Sequence, residues 1–130
     1  MILTKFIIDS FAWIEYLLGT NKGIYVKNVI DDKNNEIFTH VLSIAEVSSR
    51  LTRSGEDPLD SINKLISASS IIYLDNKDSL ASGKLHAEIR KKISDFGLVD
   101  AFILYSSKKF KIKILTGDSH FKNFKEAILI

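Results

Sequence analysis

Four carboxylates stand where chemistry would need them. Asp9 ends the apolar run Phe6-Ile7-Ile8, and a helical pattern starts directly after it. Asp118 follows residues 112–115 in the same way, through Thr116 and Gly117. Asp100 interrupts Leu98-Val99-Asp100-Ala101-Phe102-Ile103-Leu104, an otherwise apolar helix start. Glu46 lies mid-helix between Ala45 and Val47. Grouped together, such oxygen donors would suit Mg²⁺ or Mn²⁺, which often retain waters beside a phosphate substrate. Ions of this kind activate a water and stabilise in-line phosphoryl displacement. Without a cation the grouped carboxylates would repel one another, and at least one pKa would rise.

Each acid also has a local role open to it. Asp9 could favour a helix N-terminus through the dipole, although Ser10 is already available as a cap. Glu46 could pair with Arg50 at i,i+4, a surface contact of only ~0.3–0.5 kcal/mol. Ser43, Ser49 and Arg53 make that helical face read as polar rather than core. Asp100 could cap free amides after Gly97, and Asp118 could cap a Gly-Asp turn. Of the four, Asp100 is the most telling, because an unpaired buried charge costs several kcal/mol. Thr116 would add a hydroxyl to orient a water or Asp118 itself.

Other chemistries fit less well. There is no cysteine, which excludes disulfides, thiolate metal sites and cysteine nucleophiles. His40, His86 and His120 are scattered and form no zinc-type pair; only His120 neighbours a candidate acid. No glycine-rich phosphate loop or GxSxG elbow is present. A phosphatase would use an aspartate after the first strand but needs a second two residues on, where Phe11 stands. Phe11, Trp13 and Tyr16 follow Asp9 at helical spacing and read as core more readily than as a base-stacking platform.

The elements that must position the acids alternate along the chain. Strands are predicted at residues 3–8, 36–39, 70–74, 111–115 and 127–130. Helices are predicted at 11–18, 24–30, 41–53, from Asp57-Pro58 to about 67, at 75–93 and at 98–109. Leu80, Leu85, Ile89 and Ile93 mark the apolar side of the long helix. The lysines alternating in the fourth strand place it near an edge or end of the sheet. Parallel strands need helical crossovers, so this order predicts an α/β fold with a mainly parallel central sheet and helices on both faces. Ligands of such folds bind beyond the C-terminal strand ends, where Asp9 and Asp118 both fall.

The 130 residues suffice for one domain over 1–130 with a proper core. Absence of cysteine fits a reducing, cytoplasmic setting. Asp9 and Glu15 break the apolar N-terminus, which therefore does not read as a signal peptide, and no uncharged stretch reaches membrane-spanning length. Formal net charge is +2; with the four acids set aside as ligands, the remainder carries +6, enough to attract a polyanion such as RNA.

Taken together, the segments Phe6-Ile7-Ile8-Asp9-Ser10, Ser43-Ile44-Ala45-Glu46-Val47, Gly97-Leu98-Val99-Asp100-Ala101-Phe102-Ile103 and Ile114-Leu115-Thr116-Gly117-Asp118-Ser119-His120-Phe121 resemble PIN domains. The likeness is greatest to the compact VapC-type ribonucleases of toxin–antitoxin pairs, and it spans essentially the full length. It implies a three-layer α/β/α sandwich with an acidic pocket at the sheet's C-terminal edge, and Mg²⁺- or Mn²⁺-dependent cleavage of RNA. Asp9 and Asp100 would be the main metal ligands. Glu46 would bind metal or position the water, and Asp118 would complete the site directly or through water, with Ser10 and Thr116 in support. A homodimer and a cognate antitoxin that blocks the pocket are implied as well.

The chain departs from the family's pattern at Tyr105-Ser106-Ser107, where small alanine-rich residues are usual, and at Asp95, an extra acid expected at the pocket rim. Arg50, Arg53, Lys91, Lys92, His120 and Lys122 are candidates for a rim that holds RNA phosphates without reading bases. The alternative is a catalytically inactive PIN-like module that binds RNA or protein.

Overall fold

A computed structural model describes residues 3–130. The chain runs β1 (Thr4–Ile8), α1 (Ser10–Leu18), α2 (Asn21–Asp31), β2 (Asn35–His40), α3 (Val41–Arg53), α4 (Leu59–Ala68), β3 (Ser70–Ile72), α5 (Asn76–Arg90), α6 (Leu98–Phe110), β4 (Lys113–Thr116), a 3₁₀ turn (Ser119–Phe121) and β5 (Ala127–Leu129). All strands are parallel, in the order β3-β2-β1-β4-β5.

Alternation along the strands builds two cores. Phe6 and Ile8 face one side of β1 with Ile37 and Leu115, and pack on Trp13, Val26, Val47 and Leu65 from α1–α4. Ile7 faces the other side with Ile114 and Ile72, packing on Phe96, Ile103, Leu104 and Phe121. The sheet is therefore covered on both faces, as parallel sheets require, and the expected three-layer α/β/α sandwich is the fold. A hydrogen-bond chain crosses the first core. The Trp13 indole donates to Thr39 Oγ1 at 3.0 Å, and Thr39 shares a 2.8 Å bond with Ser69 Oγ.

Several local expectations are corrected. Asp9, not Ser10, caps α1: its carboxylate accepts from the Ala12 amide at 2.8 Å, and Ser10 is already helical. Helix α4 starts at Leu59 with Pro58 as the cap residue, one position later than the Asp57-Pro58 signal suggests. Strand β4 is near an edge, as expected, but is paired on both sides, with β1 and with the outer strand β5. Lys113 is exposed because it starts the strand, and Lys111 precedes it as the cap of α6. Leu80 is 67% exposed; only Leu85, Ile89 and Ile93 of its predicted stripe reach the core. Ser43, read as part of a polar face, is fully buried.

Candidate active site

The strand order reverses between β1 and β4: successive strands run outward from β1 to β3 on one side and from β4 to β5 on the other. Helices leave the sheet in opposite directions there, which opens a crevice beyond the strand ends. Asp9 ends β1, and its amide donates to Leu115 O of β4 at 3.2 Å. Asp118 follows β4 by two residues. Glu46 enters from the second turn of α3, and Asp100 from the first turn of α6. All four acids line one pocket of about 350 Å³, together with Ser10, Arg50 and Arg53.

Thr116 fixes the floor. Its side chain is fully buried, and its hydroxyl oxygen accepts from the Asp118 amide at 2.9 Å. The same hydroxyl lies close enough to Asp9 to lower that carboxyl's pKa, so Thr116 touches on both strand-end acids. Gly117 allows Phe11 to lie against this turn; a Cβ there would meet the ring at 2.1 Å.

The electrostatics are those of uncompensated carboxylates. The Asp9 carboxyl is pushed up to about 7, by burial foremost and by Asp100 and Asp118; the Thr116 and Ala12 hydrogen bonds oppose this. Asp100 is also pushed up to about 7, by burial first and then by Asp118 and Glu46, with His120 and the Gly97 amide opposing. Glu46 is raised by burial of its carboxyl and by Asp118, against a hydrogen bond from Ser10. Charge coupling therefore links all four acids. Among the described residues no ion pair joins Glu46 to Arg50.

His120 bridges Asp118 and Asp95 on one side. His120 Nδ1 lies 3.1 Å from Asp118 Oδ1, and Nε2 lies 3.0 Å from Asp95 Oδ2. The bond to Asp95 raises the histidine pKa, with Asp118 adding to it, and in turn lowers that of Asp95. Asp100, Asp118 and His120 each offer a donor atom within 4.8 Å of the other two. The donor set is oxygen-rich with at most one imidazole, which fits Mg²⁺ or Mn²⁺. Buried carboxyls that also repel one another are what a bound cation would offset, so the residues fit such an ion.

Of the candidate RNA contacts, Arg50 and Arg53 line the pocket. Lys91, Lys92 and Lys122 do not; Lys91 pairs instead with Glu88 at 3.2 Å. Trp13 is fully buried core, whereas Phe11 is 38% exposed and lines the pocket beside Glu15. Glu15 gave no signal, because an acid in a short amphipathic helix reads as a solvated face. Behind Asp100, Tyr105-Ser106-Ser107 is tied to its surroundings by hydrogen bonds. The Tyr105 hydroxyl donates to Asp78 at 2.6 Å, Ser106 bonds Phe102 O, and Ser107 bonds Ile112 O.

With the parallel sandwich and the acidic crevice in place, the class can be stated. The PIN domain family model matches residues 6–127, and the chain belongs to that family. Solved structures of the same fold include VapBC2 from Rickettsia felis bound to a DNA fragment of its promoter, at 18% identity and TM-score 0.74, covering 98% of both chains. DNA-bound VapBC from Salmonella typhimurium is similar at 15% identity and TM-score 0.72, again over 98% of both chains. VapC20 of Mycobacterium tuberculosis, a sarcin–ricin loop-cleaving toxin, is similar at 14% identity and TM-score 0.69, over 93% of this chain and 97% of the other. No curated protein is similar enough in sequence to count as a relative.

Proposed function

We propose that the protein is a metal-dependent endoribonuclease, a single nuclease domain over residues 1–130 that acts as the toxin of a toxin–antitoxin pair. The observation that carries this is the convergence of Asp9, Glu46, Asp100 and Asp118 on one pocket at the strand-order reversal, with three of the four carboxyls raised. Asp9 and Asp100 hold Mg²⁺ or Mn²⁺, and Asp118 completes the set. A bound ion of this kind supplies positive charge to the phosphate and acidifies water.

The chain's own groups do the rest. Glu46, the most open of the four acids, accepts a proton from the attacking water at its carboxylate. Ser10 steadies Glu46, and Thr116 orients Asp9 and Asp118. Arg50 and Arg53 neutralise flanking phosphates as bidentate donors, without reading bases. His120 holds Asp118 in place and, with Asp95, forms the rim on that side. Lys91, Lys92 and Lys122 lie outside the pocket and would meet only RNA that runs past it.

RNA is the substrate that suits a basic body around an acidic pocket. A toxin–antitoxin complex among the structural neighbours supports an antitoxin partner. On the same reading the antitoxin covers the pocket, and the protein is a cytoplasmic homodimer. The test is cleavage of a labelled RNA with Mn²⁺, with EDTA, and by Asp100→Asn. Cleavage should need the ion and fall at least a hundredfold in the variant; equal cleavage by Asp100→Asn would remove that residue from the mechanism.

A further inference from the structure

The opposite edge of the sheet carries a second cleft, of about 530 Å³, where β4 and β5 begin. Lys108, Lys111, Lys113 and Lys125 line it, with Glu126 as the one acid. They come from the last turn of α6, its cap residue, the first residue of β4 and the approach to β5. Lys108 pairs with Glu126 at 3.2 Å; Lys111, Lys113 and Lys125 have no ion-pair partner among the described residues. The cleft thus keeps a surplus of three positive charges.

The helix terminus does not account for that surplus. The C-terminal end of α6 presents roughly half a negative charge, which one lysine satisfies. Backbone geometry gives a second sign. Lys111 has φ 56° and is the only positive-φ residue other than glycine among those described. A non-glycine side chain there is disfavoured relative to glycine. Glycine would serve the cap better, so a lysine held in this conformation points to a use for its charge.

The geometry points to a phosphate-backbone site: we infer that this cleft binds the sugar–phosphate chain of RNA extending from the acidic pocket, one strand length away. Strand β4 joins the two places, with Lys113 at one end and Thr116, below Asp118, at the other. Four residues of strand put them roughly 10 Å apart along its axis. β5 is the outer strand on this side, so the way between the two lies over an edge of the sheet rather than through a core. Lysines spread over separate elements suit a row of phosphates better than a single anion. Ile112 is the one apolar residue among those that line it, the others being lysines, a serine and a glutamate. The assignment rests on the ribonuclease reading for the identity of the polyanion, not for the existence of the site.

Binding without turnover tests it. Anisotropy of a fluorescein-labelled 20-nucleotide oligouridine and of a 4-nucleotide one is measured in EDTA with Asp100→Asn as the parent. The variant adds Lys111→Asn, Lys113→Gln and Lys125→Gln; asparagine tolerates the left-handed backbone. The 20-mer should weaken at least tenfold near 50 mM salt, with a salt slope shallower by about 2, as expected for three lost phosphate contacts on a single strand. The 4-mer, which meets the cleft alone, should bind the parent more weakly than the 20-mer and lose that binding in the variant. A control neutralising Lys27, Lys33 and Lys64 should leave both nearly unchanged. Unaltered 20-mer binding, or an equal loss in the control, would overturn the site. If the lysine effect appears while the unsubstituted protein cleaves no RNA, the nuclease reading fails and the cleft stands.

Discussion

At the residue scale the site's logic is visible in two buried hydroxyls of opposite consequence. Thr116 accepts a hydrogen bond from the Asp118 amide, while the Ser43 hydroxyl is buried without a hydrogen-bond partner, as is Nε2 of His40. An unpaired buried polar group costs roughly 1–3 kcal/mol, whereas a satisfied one contributes modestly and is expensive to break. Ser43→Ala should therefore leave stability unchanged or raise it by up to about 1 kcal/mol. Thr116→Val keeps shape but strands the Asp118 amide, and should destabilise by roughly 1–3 kcal/mol. Urea unfolding of both variants checks the signs; a clear loss in Ser43→Ala would mean that its hydroxyl has a partner after all. The two serve as a measure of what the sequence discloses. Thr116 was legible because it sits between a strand and an acid. Ser43 was not, since helical periodicity gives an angle between side chains and leaves open which angle meets the sheet.

At the element scale, helix packing decides which glycines matter. Gly23 lies where α2 crosses α1, and a Cβ there would come within 2.0 Å of the Glu15 carbonyl oxygen and 2.6 Å of its carbon. Those are backbone atoms, so relief requires the helices to part. Gly83, inside α5, would meet nothing within 4 Å. Gly83→Ala should stabilise by about 0.5–1 kcal/mol through helix propensity. Gly23→Ala should cost several kcal/mol, above the usual ~1–3 kcal/mol of overpacking, because no side chain can yield. Thermal melts of the pair separate local propensity from packing, and a Gly23→Ala protein as stable as the parent would refute the close crossing. Composition gives both glycines the same weight. Element order, by contrast, was legible: apolar runs alternating with 3.6-residue patterns yield the parallel sandwich almost unaided. β4 does lie near an edge, next to the outer strand β5, although the lysines that suggest this stand before the strand and at its start rather than along an exposed one. The Asp95–His120–Asp118 bridge was not legible, since residues 95 and 118 meet only once α6 and β4 have folded.

On the scale of the whole molecule, the fold spends stability to keep its acids together. Asp9 and Asp100 have folded-state values near 7, against an ordinary 3.8. A raised carboxyl means that the native state holds protons the unfolded chain has already released. Stability from these groups is therefore greatest below about pH 4, falls as pH rises from 4 to 7, and the unfavourable contribution is complete above 7. This slope opposes that of Asp78, whose carboxylate, bonded to Lys109 at 2.7 Å and to Tyr105, is lowered and favours folding at higher pH. The two are separable by substitution. In metal-free buffer at pH 8, Asp100→Asn should melt several degrees above the parent, and the gap should narrow by pH 5 and close below about pH 4. A divalent ion should act on the parent in the reverse sense. Ligands that bind only the folded state stabilise in proportion to their affinity, and this site binds an ion only with its carboxyls deprotonated. Added Mn²⁺ should thus raise the melting temperature strongly at pH 8, weakly at pH 5, and little at either pH in Asp100→Asn. A Mn²⁺ shift of equal size at both pH values would mean that the ion binds somewhere other than the four convergent acids.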